Sequence, residues 1–171
     1  ANPVSGEHFF HDYFGTVAEK LNDIDPESLV QAATMVRRTH GSGNKVILAG
    51  NGGSAAMASH VAVDLTKAAG IRAMNFNEAD LLTCLANDYG YENWVAKALE
   101  FYADPGDLVI LISSSGASQN MVNGAEQASA MGLAVVSLSG FSPDNPLRRL
   151  GDLNLWVASD SYNVVEMTHH V

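Results

Sequence analysis

The apolar residues of this chain follow two patterns. Residues 8–24, HFFHDYFGTVAEKLNDI, place Phe10, Phe14, Val17 and Leu21 at steps of three and four, the spacing of one helix face. The next stretch, DPESLVQAATMVRRTHGSG, offers Asp25 as a helix cap, Pro26 at the first helical position and Gly41 as the stop. Beyond residue 44 short unbroken apolar runs take over: KVILAG, IRAMNF, GDLVILIS, LAVVSLSG and LNLWVAS. Between them lie GSAAMASHVAVDLTKAAG, EADLLTCLANDYGYENWVAKALEFYA with a break at Gly90, and ASQNMVNGAEQASAMG, while YNVVEMTHHV begins a last helix. Strands that alternate with helices and lack polar alternation are covered on both faces, which predicts a parallel sheet. The expectation is a three-layer αβα fold with five parallel strands. No repeat, linker or low-complexity stretch divides it, so residues 1–171 read as one domain, with leading helices over about 7–40 and an α/β core over about 44–171.

Several apolar positions are assigned to the interior. Trp94 and Phe101, seven apart, and Met121, Val122 and Ala125 read as helix core faces. Trp156 reads as core or subunit interface, and Cys84, between Thr83 and Leu85, as a small buried residue.

Charge narrows the partners. The formal net charge is −10, from 9 basic and 19 acidic residues, with no basic cluster, and this argues against nucleic acid. A small anion remains compatible where amides and hydroxyls are aimed at it. One cysteine leaves no internal disulfide and suits a reducing compartment. With no signal-like segment and no apolar run near the roughly 20 residues of a membrane span, the reading is cytoplasmic, without membrane contact.

Ligands of parallel sheets sit where strand ends meet helix starts. Two such junctions stand out. In GNGGSAAMASH, Gly50, Gly52 and Gly53 let the backbone turn tightly, while Asn51 and Ser54 supply side-chain contacts. In LVILISSSGASQNM, Ser113, Ser114, Ser115 and Ser118 surround Gly116 at the head of a helix. Hydroxyls and unpaired amides at the positive end of a helix dipole can hold phosphate, although serines also serve as plain caps and turn residues. Neither loop is a P-loop or a dinucleotide fingerprint.

With GNGGSAAMASHVAVDLTK, ANDYGYEN, DLVILISSSGASQNMVNGAEQASAMG and LAVVSLSG, the chain resembles the sugar isomerase (SIS) domain family, and within it the phosphoheptose isomerases, over nearly its whole length. The resemblance implies a flavodoxin-like fold, phosphate contacts from Ser113, Ser114, Ser115 and Ser118, and substrate-chain contacts from Asn51, Gly52, Gly53, Ser54 and Asp88. It also implies a homotetramer with sites between subunits, and interconversion of sedoheptulose 7-phosphate and a heptose phosphate.

Such a reaction passes through an enediol, so one group must move a proton at carbon while another serves the oxygens. His60 and Asp64, four apart on one helix face, are the expected pair, with Asp64 as base at a position where the family has Glu. In some members these positions bind zinc, and His60, Asp64, His169 and His170 form the possible metal set here. His169 is a further catalytic candidate. Glu166, His169 and His170 form an E-x-x-H-H pattern, which also fits a solvated or inter-subunit helix face. By alignment Val165 stands at a family Gln, and a family His falls beyond Val171, which suggests that further C-terminal residues belong to the helix. A short TKAAGIRAM connection leaves a secondary anion contact to Lys67 or Arg72; Arg148 and Arg149 read as a helix end near Gly151. The alternatives are a non-catalytic phosphosugar sensor, a protein adaptor like the replication-initiation regulator of this fold, and an isomerase of another sugar phosphate such as a pentose.

Overall fold

The structure, a computed structural model, describes residues 6–171. Two helices lead, α1 (Gly6–Asn22) and α2 (Pro26–Gly41). Strands and helices then alternate: β1 (Val46–Gly50), α3 (Gly53–Lys67), β2 (Ala73–Asn75), α4 (Ala79–Tyr89), α5 (Trp94–Tyr102), β3 (Leu108–Ser113), α6 (Gln119–Ala130), β4 (Ala134–Ser139), α7 (Pro146–Leu150), β5 (Leu153–Trp156) and α8 (Tyr162–His170). Asp25 caps α2 as expected, accepting from the amides of Glu27 and Ser28. The helix runs through Gly41 to a cap at Ser42, and the left-handed turn falls on Gly43. The short α7 carries the helix end expected of Arg148 and Arg149 before Gly151; Asn145 caps it, accepting from the Arg148 amide at 2.9 Å.

All five strands are parallel, in the order β2-β1-β3-β4-β5. This is the flavodoxin-like order, whose direction of winding reverses between β1 and β3. The sheet separates two apolar cores. One holds Trp94, Leu99, Phe76 and Met121 against Ile47, Val109 and Val135; the other holds Met57, Ala58 and Ala62 of α3 against Val46, Leu48 and Ile112. Alternate residues of each strand feed alternate cores, which explains why the strands read as unbroken apolar runs.

Two interior assignments fail. Phe101 is 60% exposed, whereas Trp94 is fully buried. The buried stripe of α5 runs through Trp94, Val95, Ala98 and Leu99, and at 100° per residue Phe101 lies roughly 90° from its centre. Cys84 is exposed, because Leu85 takes the inward position of that turn of α4. Met121, Val122, Ala125 and Trp94 are interior as expected, and Trp156 is half-buried under the Arg148 guanidinium, 4.6 Å from its ring centre.

At the rim below the strand starts, Lys45 and Asp107 tie β1 to β3. The Lys45 ammonium meets the Asp107 carboxylate and lies 2.7 Å from Asp104; Asp107 also accepts from the amides of Lys45 and Asp104 at 2.9 and 2.8 Å. Burial pushes the Asp107 pKa up, but the two amides and the ammonium outweigh it and hold the carboxyl below its ordinary value.

Candidate functional site

The opposite rim, where β1 and β3 end, carries a cavity of about 110 Å³ at the winding reversal. Asn51, Ser54, Ile112, Ser113, Ser114, Ser115, Ser118, Tyr162 and Glu166 line it. β3 delivers the serines: its last residue is Ser113, and the chain then folds back so that the Gly116 amide donates to the Ser113 carbonyl at 2.9 Å. That turn requires φ of +64° at Gly116, and a Cβ there would overlap the Asn145 side chain. Asn145 is itself fixed, its Nδ2 donating to Ser139 Oγ and to the carbonyls of Gly140 and Ser142.

The serine hydroxyls are not spent on capping. Ser118 is the N-cap of α6, yet its side chain makes no cap bond; Ser113 Oγ donates to Ser118 Oγ at 3.1 Å instead. Ser115 Oγ accepts from the Ala117 amide at 3.2 Å. Ser114 Oγ is buried with no partner at all. A buried hydroxyl without a partner costs about 1–3 kcal/mol, so its presence on a cavity wall points to a polar guest. The head of α6 supplies the dipole for an anionic one.

The glycine loop is bound to the serine loop. Asn51 Nδ2 donates to Asn120 Oδ1 at 2.9 Å, Asn120 Nδ2 returns a bond to Asn51 Oδ1 at 2.8 Å, and Tyr91 Oη donates to the same oxygen at 3.0 Å. Gly52, at φ +54°, caps α3 without a side-chain bond, and Ser54 is buried in the first turn. Two helix heads therefore converge on one polar hollow. Neither Lys nor Arg is among the lining residues, so donation to an anion falls to neutral hydroxyls, side-chain amides and backbone amides, with Glu166 as the one carboxylate in the lining.

A family profile described as SIS domain matches residues 10–140. The phosphoheptose isomerase of Akkermansia muciniphila is 33% identical, with 92% of this chain and 84% of that protein covered. That of Campylobacter concisus is 37% identical, with 90% and 83% covered. In three dimensions the chain resembles the phosphoheptose isomerase GmhA of Neisseria gonorrhoeae with a TM-score of 0.86 at 26% identity, covering 95% of this chain and 90% of that one. The chain belongs to the SIS domain family.

Within this SIS domain the expected site residues fall into three places. Asn51, Ser54 and the four serines share the cavity, with Gly52 and Gly53 at its edge. His60 and Asp64 lie farther along α3, 3.4 Å apart, with side chains 74% and 62% exposed. The axial distance from Gly53 to Asp64 is about 16 Å, and neither residue lines the cavity of its own protomer. Asp88 is exposed on the last turn of α4, where its carboxylate takes bonds from Asn87 and Cys84 and does not reach the hollow.

His169 and His170 lie away from this hollow in the protomer. The His169 ring lines a separate apolar cavity with Ile24, Leu29, Leu138 and Leu155. Its Nε2 faces the Ser139 carbonyl at 3.2 Å, an acceptor only, so that nitrogen carries the proton. Burial, with a smaller contribution from His170, outweighs this bond and pushes the pKa down to about 4. His170 borders a groove between α8 and α1. Among the described residues no three His, Cys, Asp or Glu side chains come together as a metal site. The E-x-x-H-H residues do not form a cluster: Glu166 lines the serine hollow, while the His169 ring turns to the other flank of α8 among Ile24, Leu29, Leu138 and Leu155.

Tyr162 in the lining and Asn120 behind it had no assigned role in the sequence reading, and Glu166 entered it only through the E-x-x-H-H pattern. Tyr162 and Glu166 share one face of α8, four residues apart, and Asn120 is buried behind Asn51. Glu166 comes close enough to Gly53 that a Cβ there would lie 2.9 Å from Oε2. Its signal was the i,i+4 pairing with the first residue of the last helix. Val165, at the family Gln position, is fully buried against Gly140 and serves packing.

Proposed function

We propose that this chain is an aldose–ketose isomerase that interconverts sedoheptulose 7-phosphate and a heptose 7-phosphate through an enediol. The observation that carries this reading is the partnerless Ser114 hydroxyl within a serine-lined hollow at two helix heads. The phosphoheptose isomerase relatives support the reaction class. The phosphate rests on Ser113, Ser114, Ser115, Ser118 and the first amides of α6. Asn51, Ser54 and the Gly52–Gly53 backbone meet the adjoining carbons, and Asp88 receives the far hydroxyls when its helix end is covered.

Asp64 removes the proton from the carbon beside the carbonyl and returns it to the neighbouring carbon, while His60 passes a proton between the two oxygens. Both reach the substrate from a neighbouring copy, since each stands well away from its own protomer's cavity. A homotetramer is supported by unpartnered apolar surface: Phe9, Phe10 and Phe14 of α1, Leu29 and Val30 of α2, and Val63 beside Asp64 are all at least about half exposed. Among the described residues of one protomer no three side chains come together as a zinc site, and no step here depends on metal. No helix is long and apolar enough to cross a membrane among the described residues; a cytoplasmic setting agrees with the exposed free thiol of Cys84.

Sedoheptulose 7-phosphate incubated in D2O tests the proposal. Deuterium should enter at the carbon next to the carbonyl, and Ser114→Ala should raise KM by about tenfold, the loss of one charge-assisted hydrogen bond. Tight binding without exchange would leave a phosphosugar sensor, and the isomerase reading would fall.

A further inference from the structure

The Glu166 carboxylate is unexplained by phosphate binding. It is half-buried in the same lining as the serines, close to Gly53, makes no hydrogen bond or ion pair among the described residues, and faces a hollow that no Lys or Arg lines. An anion beside the seat of another anion weakens it, so the carboxylate must be matched by something else in the ligand. A hydroxyl on the chain next to the phosphate supplies it, donating to Oε1 or Oε2. A second negative charge at that point is repelled by the carboxylate. Tyr162 completes this wall one helical turn earlier. Its ring packs edge-on against Phe141 with centroids 4.7 Å apart, and Phe141 is the one non-glycine residue with positive φ (+57°) among those described, held by its amide bond to the Ser159 carbonyl at 2.8 Å. That edge contact sets the Tyr162 ring beside the acceptor, where it offers the C–H side of a sugar chain an apolar surface.

Resting on the phosphate reading above, we propose that Glu166 is a specificity-determining residue: it selects phosphate esters whose neighbouring carbons carry neutral hydroxyls and rejects those carrying a carboxylate. The ligand class is therefore phosphorylated polyols, aldoses and ketoses, to the exclusion of short phosphorylated sugar acids. Asp64 and His60 would then do the proton chemistry, while Glu166 decides what is presented to them.

Two small ligands of nearly equal size separate the cases. Glycerol 3-phosphate and 3-phosphoglycerate differ by a hydroxymethyl against a carboxylate, and inorganic phosphate reports on the serine seat alone. Titrated against the full chain at fixed salt, glycerol 3-phosphate should bind at least about tenfold more tightly than 3-phosphoglycerate. In Glu166→Gln the preference should fall below about threefold, and inorganic phosphate should bind more tightly than before. Glu166→Asp keeps the charge and should retain most of the preference. A wild-type protein that does not discriminate, or a preference that survives Glu166→Gln in folded protein, overturns the assignment while phosphate binding stands. If wild type binds none of the three ligands, inorganic phosphate included, the phosphate seat itself is refuted and the role of Glu166 with it.

Discussion

At the residue scale, the serine loop depends on one glycine and one asparagine. Gly116 sits at φ +64° against the Asn145 amide, which is buried and bonded on both its nitrogen and its oxygen. Gly116→Ala therefore meets two penalties together, a left-handed backbone and a collision with a side chain that cannot yield. The expected loss is about 3 kcal/mol of stability in chemical denaturation, with isomerase activity falling to background. The serines were legible in the sequence because hydroxyls crowded at a strand end are unusual. Asn145 was not, since nothing in SPDNPLRR announces that its amide packs against Gly116, in a turn far back along the chain. Glu166 was visible only as part of an apparent metal pattern; its real neighbour, Gly53, is far away in sequence and becomes adjacent only through the sheet.

At the scale of elements, α8 is docked through a histidine that has to remain neutral. His169 packs among Ile24, Leu29, Leu138 and Leu155 with its pKa pushed down to about 4. The folded value lies below the unfolded value of about 6.5, so neutral His169 contributes stability that is present above about pH 6.5 and is lost as pH falls toward 4. Urea unfolding across that window should show stability declining by an amount on the order of 3 kcal/mol from this residue. His169→Gln should flatten that decline, and an unchanged slope would show that the ring is not what titrates. The strands and most helices followed from pattern alone, because two buried faces make a parallel strand uniformly apolar. What the pattern could not give was direction: a His three residues from a Glu can face the site or the core, and the packing of Val164 and Thr168 decides which.

For the whole molecule, the apolar surface left open is the main unexplained quantity of a lone protomer. The stripe of Phe10 and Phe14 read correctly as one side of an amphipathic helix, but that side faces outward here, at 56% and 63% exposure. If the proposed homotetramer closes over this face, the joint substitution Phe10→Ser, Phe14→Ser should give smaller species in sedimentation than the unsubstituted protein, and lower kcat far more than it lowers affinity for inorganic phosphate. Retained kcat in a monomer would mean that His60 and Asp64 act within their own chain.

The solitary thiol of Cys84, one turn before Asp88 on the helix whose following loop hooks Tyr91 onto Asn51, offers an experimental handle. A single dye can be attached there, the sequence holding one cysteine, on the helix that leads to Tyr91 and outside the lining of the hollow. Ligand arrival could then be followed optically in otherwise unaltered protein.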